Sequence, residues 1–88
     1  MENPHIHESH PDIIKRLKRA NGHLNSVIKM LEGHRDCVSI AQQLYAVEKA
    51  IIQAKRLLIQ DHIDHCLDDA INDHQHDLSE FKEITKYL

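Results

Sequence analysis

The sequence predicts an all-α fold: a three-helix protomer in which two long amphipathic helices form an antiparallel hairpin. Three observations predict it. Apolar residues recur in alternating steps of four and three along two long stretches, which is the period of one helix face. The 88 residues include only two glycines and two prolines, too few for the turns of a β-rich fold or for a glycine-rich catalytic loop. A polar run over residues 72–77 then separates a third, shorter amphipathic segment at residues 78–88.

The first stripe is Ile13, Leu17, Ala20, Leu24, Val27 and Leu31, widened by Ile14 and Ile28. Pro11-Asp12 suits a helix start and Gly33 a helix stop, giving a helix of about 20 residues. Gly22 lies inside it and costs about 1 kcal/mol relative to alanine, which predicts close packing or a bend there. The second stripe is Ile40, Leu44, Val47, Ile51, Ala54 and Leu58. It starts near Cys37 and predicts a helix near 30 residues, roughly 45 Å long at the helical rise. The shorter helix cannot cover the longer one, so an apolar seam is left over. A chain this small also buries only roughly 60–65% of its unfolded surface. The usual remedy for such a seam is a second copy forming a four-helix bundle, and a chain this small usually needs a staple, a metal or a partner.

Composition excludes several functions. Two cysteines do not make a secreted disulfide scaffold. No apolar run has the length of a membrane span, and the acidic, histidine-rich start MENPHIHESHPD is unlike a signal peptide, so a cytoplasmic protein with no membrane partner is expected. Tyr45, Phe81 and Tyr87 are the whole aromatic content, which excludes a base-stacking platform. No catalytic constellation is present, so an enzyme is not expected.

The net charge of −3 hides an uneven distribution. Residues 1–12 carry −3 and residues 57–88 carry −6, whereas residues 13–56 carry nine Lys and Arg against Glu32, Asp36 and Glu48, a net of +6. Such a basic block can carry a phosphate-binding face although the whole chain is acidic.

Two cysteines and one histidine have metal-ligand spacing. His62 and Cys66 are four apart and share a helix face, continuing the apolar stripe from Leu58. Imidazole and thiolate one turn apart chelate a borderline or soft transition metal. Cys37 lies at the other end of the same helix, on the order of 43 Å away at the helical rise, which excludes an intrachain disulfide. An antiparallel dimer brings Cys37 of one subunit to His62 and Cys66 of the other, so the metal site and the dimer become one hypothesis. An intersubunit Cys37–Cys66 disulfide and a thiol-redox sensor are the competing readings. His5, His7 and His10 form a histidine-rich tract. His74 and His76 fall in the polar linker, His65 points about 100° away from Cys66, His23 belongs with the basic face and His34 with the interhelix turn.

The run RLKRANGHLNSVIKMLEGHRDCVSIAQQLYAVEKA followed by LLIQDHIDHCL resembles the CsoR/RcnR family of bacterial metal-responsive transcriptional repressors over about residues 12–70. The resemblance implies an all-α antiparallel four-helix-bundle dimer that assembles into a dimer of dimers, a homotetramer. It implies a repressor that holds double-stranded operator DNA without a helix-turn-helix and releases it on metal binding, freeing an efflux or resistance gene. It divides the chain into an N-terminal arm, residues 1–11, and a helical sensing and DNA-binding domain, residues 12–88. Cys37, His62 and Cys66 match the family's sensor site. His5, at 32 residues before Cys37, matches the N-terminal histidine of nickel- and cobalt-sensing members. The histidine-rich arm beside a Cys-His-Cys core looks most like the nickel-responsive branch related to InrS, DmeR and NreA. Ni(II) is therefore the expected metal, with Co(II) or Cu(I) as alternatives, since Ni(II) favours four or more ligands and Cu(I) is satisfied by three soft ones. A metal-buffering or thiol-redox protein without DNA binding is the alternative from another class, and the formaldehyde-sensing branch, which lacks the second cysteine, is a minor one. Copper sensors often carry Tyr before the first cysteine, where this chain has Asp36. Arg16 and Arg19 match basic positions of the family; Lys15, Lys18, Lys49 and Arg56 join the DNA face on charge alone. Glu48 and Gln53 stand where some members carry Arg.

Overall fold

The computed structural model describes residues 9–72 and 78–88, with the side chains of 69–72 left aside. It contains three helices, α1 (His10–Glu32), α2 (Cys37–Asn72) and α3 (Ser79–Thr85), and no strand among the described residues. The three-helix all-α protomer is as expected, but both long helices exceed the expected length, at 23 and 36 residues. Pro11 is accepted within the first turn of α1, where its missing N–H has no intrahelical partner to lose. Nothing between Cys37 and Asn72 breaks a helix, so α2 runs on through the acidic stretch. The expected 72–77 linker lies largely outside the described residues.

Gly33 ends α1, though not by a left-handed glycine. Its φ is −86°, and the left-handed residue is His34, at φ 58°. The His34 N–H donates to Leu31 O at 3.2 Å and the Arg35 N–H to Met30 O at 3.0 Å. This is the Schellman arrangement, with His34 in the place glycine usually takes. Two residues later Asp36 opens α2, its carboxylate accepting the Ser39 N–H at 2.9 Å.

α1 and α2 pack as a hairpin whose buried residues step by sevens: Ile13, Ala20 and Val27 on α1, Ile40, Val47 and Ala54 on α2. Val27, Ile40 and Val47 form the central cluster, with Met30 against it. Val27 is 1% exposed, and such burial stabilises by about 1.5–3 kcal/mol. The two predicted stripes are thus only half consumed. Leu17, Leu24 and Leu31 on α1 and Leu44, Ile51 and Leu58 on α2 stay exposed in the single chain. The physical reason is that each stripe is wider than one helix contact, and the molecule is one helix layer deep, with extents of 58 × 29 × 13 Å. Among the described residues no second layer covers the outer half.

At Gly22 one half of the expectation, close packing, is not met within the chain. A Cβ built there meets nothing within 4 Å, so the predicted close packing is absent from this chain. Gly22 faces solvent, and the Ser26 hydroxyl donates to its carbonyl at 3.3 Å. α3 packs against the C-terminal part of α2, where Glu80 approaches His62.

Candidate metal centre and nucleic-acid face

α2 carries a second line of residues beside its buried one. Cys37, Leu44, Ile51 and Leu58 step by sevens, and His62 and Cys66 follow by fours. At about 100° per residue, Cys37, His62 and Cys66 fall within about 40° of one another on the helix. Because α2 is unbroken from Cys37 to Asn72, the two thiols stand about 43 Å apart along its axis. Neither cysteine is in a disulfide. Each chain therefore carries one thiol at either end of one face. Among the described residues of a single chain, no group of three or more His, Cys, Asp or Glu gathers that could hold a metal.

The two ends differ in environment. Cys66 is buried, at 4% exposure, and His62 beside it is half-buried. The His62 Nε2 atom is itself shielded from solvent and lies 3.4 Å from Glu80 Oε1. Glu80 was not legible as a site residue, because α3 reaches α2 only through a chain reversal that spacing does not encode. At the other end, Cys37 is exposed and is the first residue of α2. The backbone and side-chain hydrogen bonds of Ser39 hold the neighbouring Asp36 carboxyl below the usual carboxylate range. Asp36, which stands where copper sensors often have Tyr, thus serves as the cap of α2.

The start of α1 lies at the His62 end. The Ser9 hydroxyl donates to Asp61 Oδ2 at 2.6 Å, one residue from His62. His65 Nε2 is 4.0 Å from Asp61 Oδ1, on the side of α2 away from Cys66. His10 is the first residue of α1. His5, His7, His74 and His76 lie outside the described residues.

The opposite side of the hairpin is basic. Arg16, Arg19, Ala20 and His23 of α1 and Ala50 and Gln53 of α2 line a groove of about 280 Å³. Arg16 Nε is 3.0 Å from Asp12 Oδ2, and His23 Nε2 is 2.5 Å from Gln43 Oε1 across the two helices. Of the six residues expected on a DNA face, the groove gathers Arg16 and Arg19, and Lys18 is exposed outside it. Lys15 and Arg56 are exposed elsewhere, and Lys49 Nζ lies 5.1 Å from the Tyr45 ring centre. His23 and Gln53 were legible only as one more basic-face residue and as a missing arginine; the fold makes both groove walls.

A family described as "Metal-sensitive transcriptional repressor" matches residues 9–87. The chain belongs to that family. The copper-sensing transcriptional repressor CsoR of Mycobacterium ulcerans (strain Agy99) is 38% identical over 60 residues, which are 68% of this chain and 51% of the relative. The match thus spans about half of that relative's length. Among solved structures, the nickel-responsive transcriptional regulator InrS superposes with a TM-score of 0.83 at 30% identity, covering 97% of this chain and 98% of that one. The copper-sensing repressor CsoR with Cu(I) from Geobacillus thermodenitrificans NG80-2 superposes with a TM-score of 0.79 at 31% identity, covering 98% and 88%. These relatives are transcriptional regulators rather than enzymes, in line with the sequence reading. Among the described residues no helix is long and apolar enough to cross a membrane.

Proposed function

We propose that this chain is a metal-responsive repressor that holds operator DNA when metal-free and lets go when its thiols bind an ion between two subunits. The observation that carries the reading is the common face of Cys37, His62 and Cys66 on one unbroken helix, with exposed Leu44, Ile51 and Leu58 between them. A second copy laid antiparallel on that face covers the exposed line and completes two identical Cys-His-Cys sites at once. Assembly into a homotetramer, a dimer of dimers, is part of the same proposal.

The donor set fits a borderline or soft ion: two thiols and an imidazole, with Cys66 buried and His62 facing Glu80. Ni(II) is the proposed ion and His5, on an arm spanning residues 1–11, the proposed fourth ligand. Ser9 is held at Asp61, and the four residues back to His5 span at most about 14 Å, enough to reach the His62 turn. The likeness to the nickel-responsive InrS fits this reading. Cu(I), held by the three core residues alone, is the second reading, favoured by the copper-sensing relatives. Co(II) would use the same donors as Ni(II).

When bound, the ion supplies a strong link between thiolates of two subunits. Everything else falls to the chain. Cys37 and Cys66 lose their protons and draw the ends of the two α2 helices together. Glu80 faces the His62 ring and sets its orientation. Asp61, next to His62, grips Ser9 at the start of α1, the helix that carries Arg16 and Arg19. A shift of the His62 turn is thus passed to the basic face. Arg16 and Arg19 in the groove, with Lys15, Lys49 and Arg56 exposed outside it, are the proposed phosphate-neutralising residues, and they make DNA affinity fall steeply with salt. The coupling is reciprocal, so DNA weakens metal binding by the factor by which metal weakens DNA binding.

The test is an anaerobic titration of reduced protein with Ni(II), Co(II) and Cu(I), joined to a mobility-shift assay on the DNA upstream of its gene. One Ni(II) per subunit, a thiolate charge-transfer band and loss of the DNA shift support the reading. Metal binding with no DNA shift under any condition overturns it in favour of a metal buffer. A Cys37–Cys66 crosslink that controls DNA binding without metal overturns it in favour of a redox switch.

A further inference from the structure

Ala41, Leu44, Tyr45 and Glu48 surround an open hollow of about 490 Å³ on the outer face of α2. Their spacing of three, four and seven from the first residue is that of the four-residue hole into which a facing helix inserts a knob. Three of the four are apolar or aromatic, and Leu44 and Tyr45 are 44% and 60% exposed. The fourth, Glu48, puts one negative charge on the rim. Lys55 lies seven residues further on, so Glu48 and Lys55 sit on one side of α2, both exposed. Among the described residues neither takes part in an ion pair within the chain.

We infer that Glu48 of one copy pairs with Lys55 of a second copy, and that this pair, with Leu58 seated in the hollow, sets the register of α2 against α2. The inference rests on the proposed antiparallel site, and the register follows from it by counting. Around a two-fold axis, each step forward on one helix matches a step back on the other. Glu48 is eleven residues after Cys37, and Lys55 is eleven residues before Cys66. The alignment that brings Cys37 level with Cys66 therefore brings Glu48 level with Lys55. The hollow lies between Leu44 and Tyr45, seven and eight residues after Cys37, and Leu58, eight before Cys66, falls level with Tyr45. Ile51 falls close to the axis and meets its own copy.

The occupant is thus a second copy of this chain rather than an unrelated helix. An unrelated partner would have no reason to match both the apolar line and the charge order. The same relation explains Glu48, one of three acidic residues in the net-basic stretch 13–56. It belongs to the apolar side of the hairpin, away from the Arg16–Arg19 groove. By symmetry the pair occurs twice in each dimer, so one substitution changes two contacts.

The test is a charge-reversal cycle read by sedimentation equilibrium over a dilution series, with circular dichroism to confirm helix content. Both positions are exposed, so each single variant is expected to fold. Glu48→Lys and Lys55→Glu each place like charges together and are expected to weaken subunit association about tenfold or more. The double variant restores the pair in reverse and is expected to return to within about threefold of the parent. Singles that associate like the parent, or a double no better than the singles, overturn the inference while the dimer stands. A parent chain that stays monomeric at all concentrations instead sinks the antiparallel site itself.

Discussion

The Ser9 hydroxyl donates a 2.6 Å hydrogen bond to the Asp61 carboxylate, joining the first turn of α1 to the turn of α2 that carries His62. It bridges positions 52 residues apart. The basic groove begins two turns along α1, at Arg16. This bond is therefore a direct mechanical connection between the proposed sensor end and the proposed DNA face. Ser9→Ala is expected to leave metal affinity and metal-free DNA affinity within about threefold of the parent. The metal-induced loss of DNA affinity is expected to shrink about tenfold, the scale of one hydrogen bond to a charged group. Mobility shifts with and without metal measure it, and an unchanged ratio would show that coupling runs elsewhere.

Glu80 makes a second, separable prediction. Its carboxylate stands 3.4 Å from His62 Nε2, the placement that orients a ligating imidazole through its other nitrogen. Glu80→Gln keeps the size and removes the charge. Metal affinity is expected to fall about 10–100-fold, with metal-free DNA binding unchanged, because Glu80 lies far from the Arg16–Arg19 groove. Competition against a chelator of known affinity gives the number.

His5 distinguishes the two metal readings. If it supplies a fourth ligand, His5→Ala loses the Ni(II) response and its charge-transfer spectrum while keeping metal-free DNA binding. Cu(I) binding by Cys37, His62 and Cys66 is expected to persist in the same variant. An unchanged Ni(II) spectrum and affinity would remove His5 from the site and leave the three-ligand core.

His34 tests the local fold rather than the site. It holds φ 58° at the end of α1, a conformation glycine adopts without a Cβ penalty. His34→Gly relieves the strain, and the greater freedom of glycine in the unfolded chain offsets part of the gain. The expected net is about 0.5–1 kcal/mol of added stability, or a Tm higher by roughly 2–8 °C. Thermal unfolding at one fixed protein concentration checks it, since subunit association makes Tm concentration-dependent.

These residues also show where the sequence is readable and where it is not. The lines Ile13-Ala20-Val27 and Ile40-Val47-Ala54 were legible as parts of two stripes, since a helix repeats its faces on a fixed period. Which half of each stripe the hairpin would bury was not legible, because periodicity marks a face and not its neighbour. His62 and Cys66 were legible as a pair on one face for the same reason that the stripes were, whereas Cys37 joined them only through the expected antiparallel dimer. Ser9–Asp61 and His62–Glu80 were invisible, because each joins different helices through turns whose direction no spacing records. The helix stop at Gly33 was legible, but the left-handed residue that follows it was not. Gly33 is the residue a helix end usually wants there, yet hydrogen bonds to Leu31 and Met30 put the turn on His34 and Arg35.

The half-sites at the two ends of α2 allow a test that no single-chain arrangement can pass. Cys37→Ser and Cys66→Ser each remove one thiol from both proposed sites of a homodimer, so each variant alone is expected to lose the metal response. A mixed dimer differs. The subunit carrying Cys66→Ser still offers Cys37, and the subunit carrying Cys37→Ser still offers His62 and Cys66, so one complete site forms and the other lacks both thiols. Co-expressing the two variants under different tags and purifying through both is expected to recover about a quarter to a half of the parent's metal per dimer, the lower figure where a tetramer joins two unmixed dimers, with the parent's thiolate charge-transfer band. If both cysteines of a site came from one subunit, no mixed dimer would contain a complete site. The mixed protein would then stay as silent as its parents, and α2, which keeps Cys37 and Cys66 at opposite ends, would have no way to act as a sensor between copies.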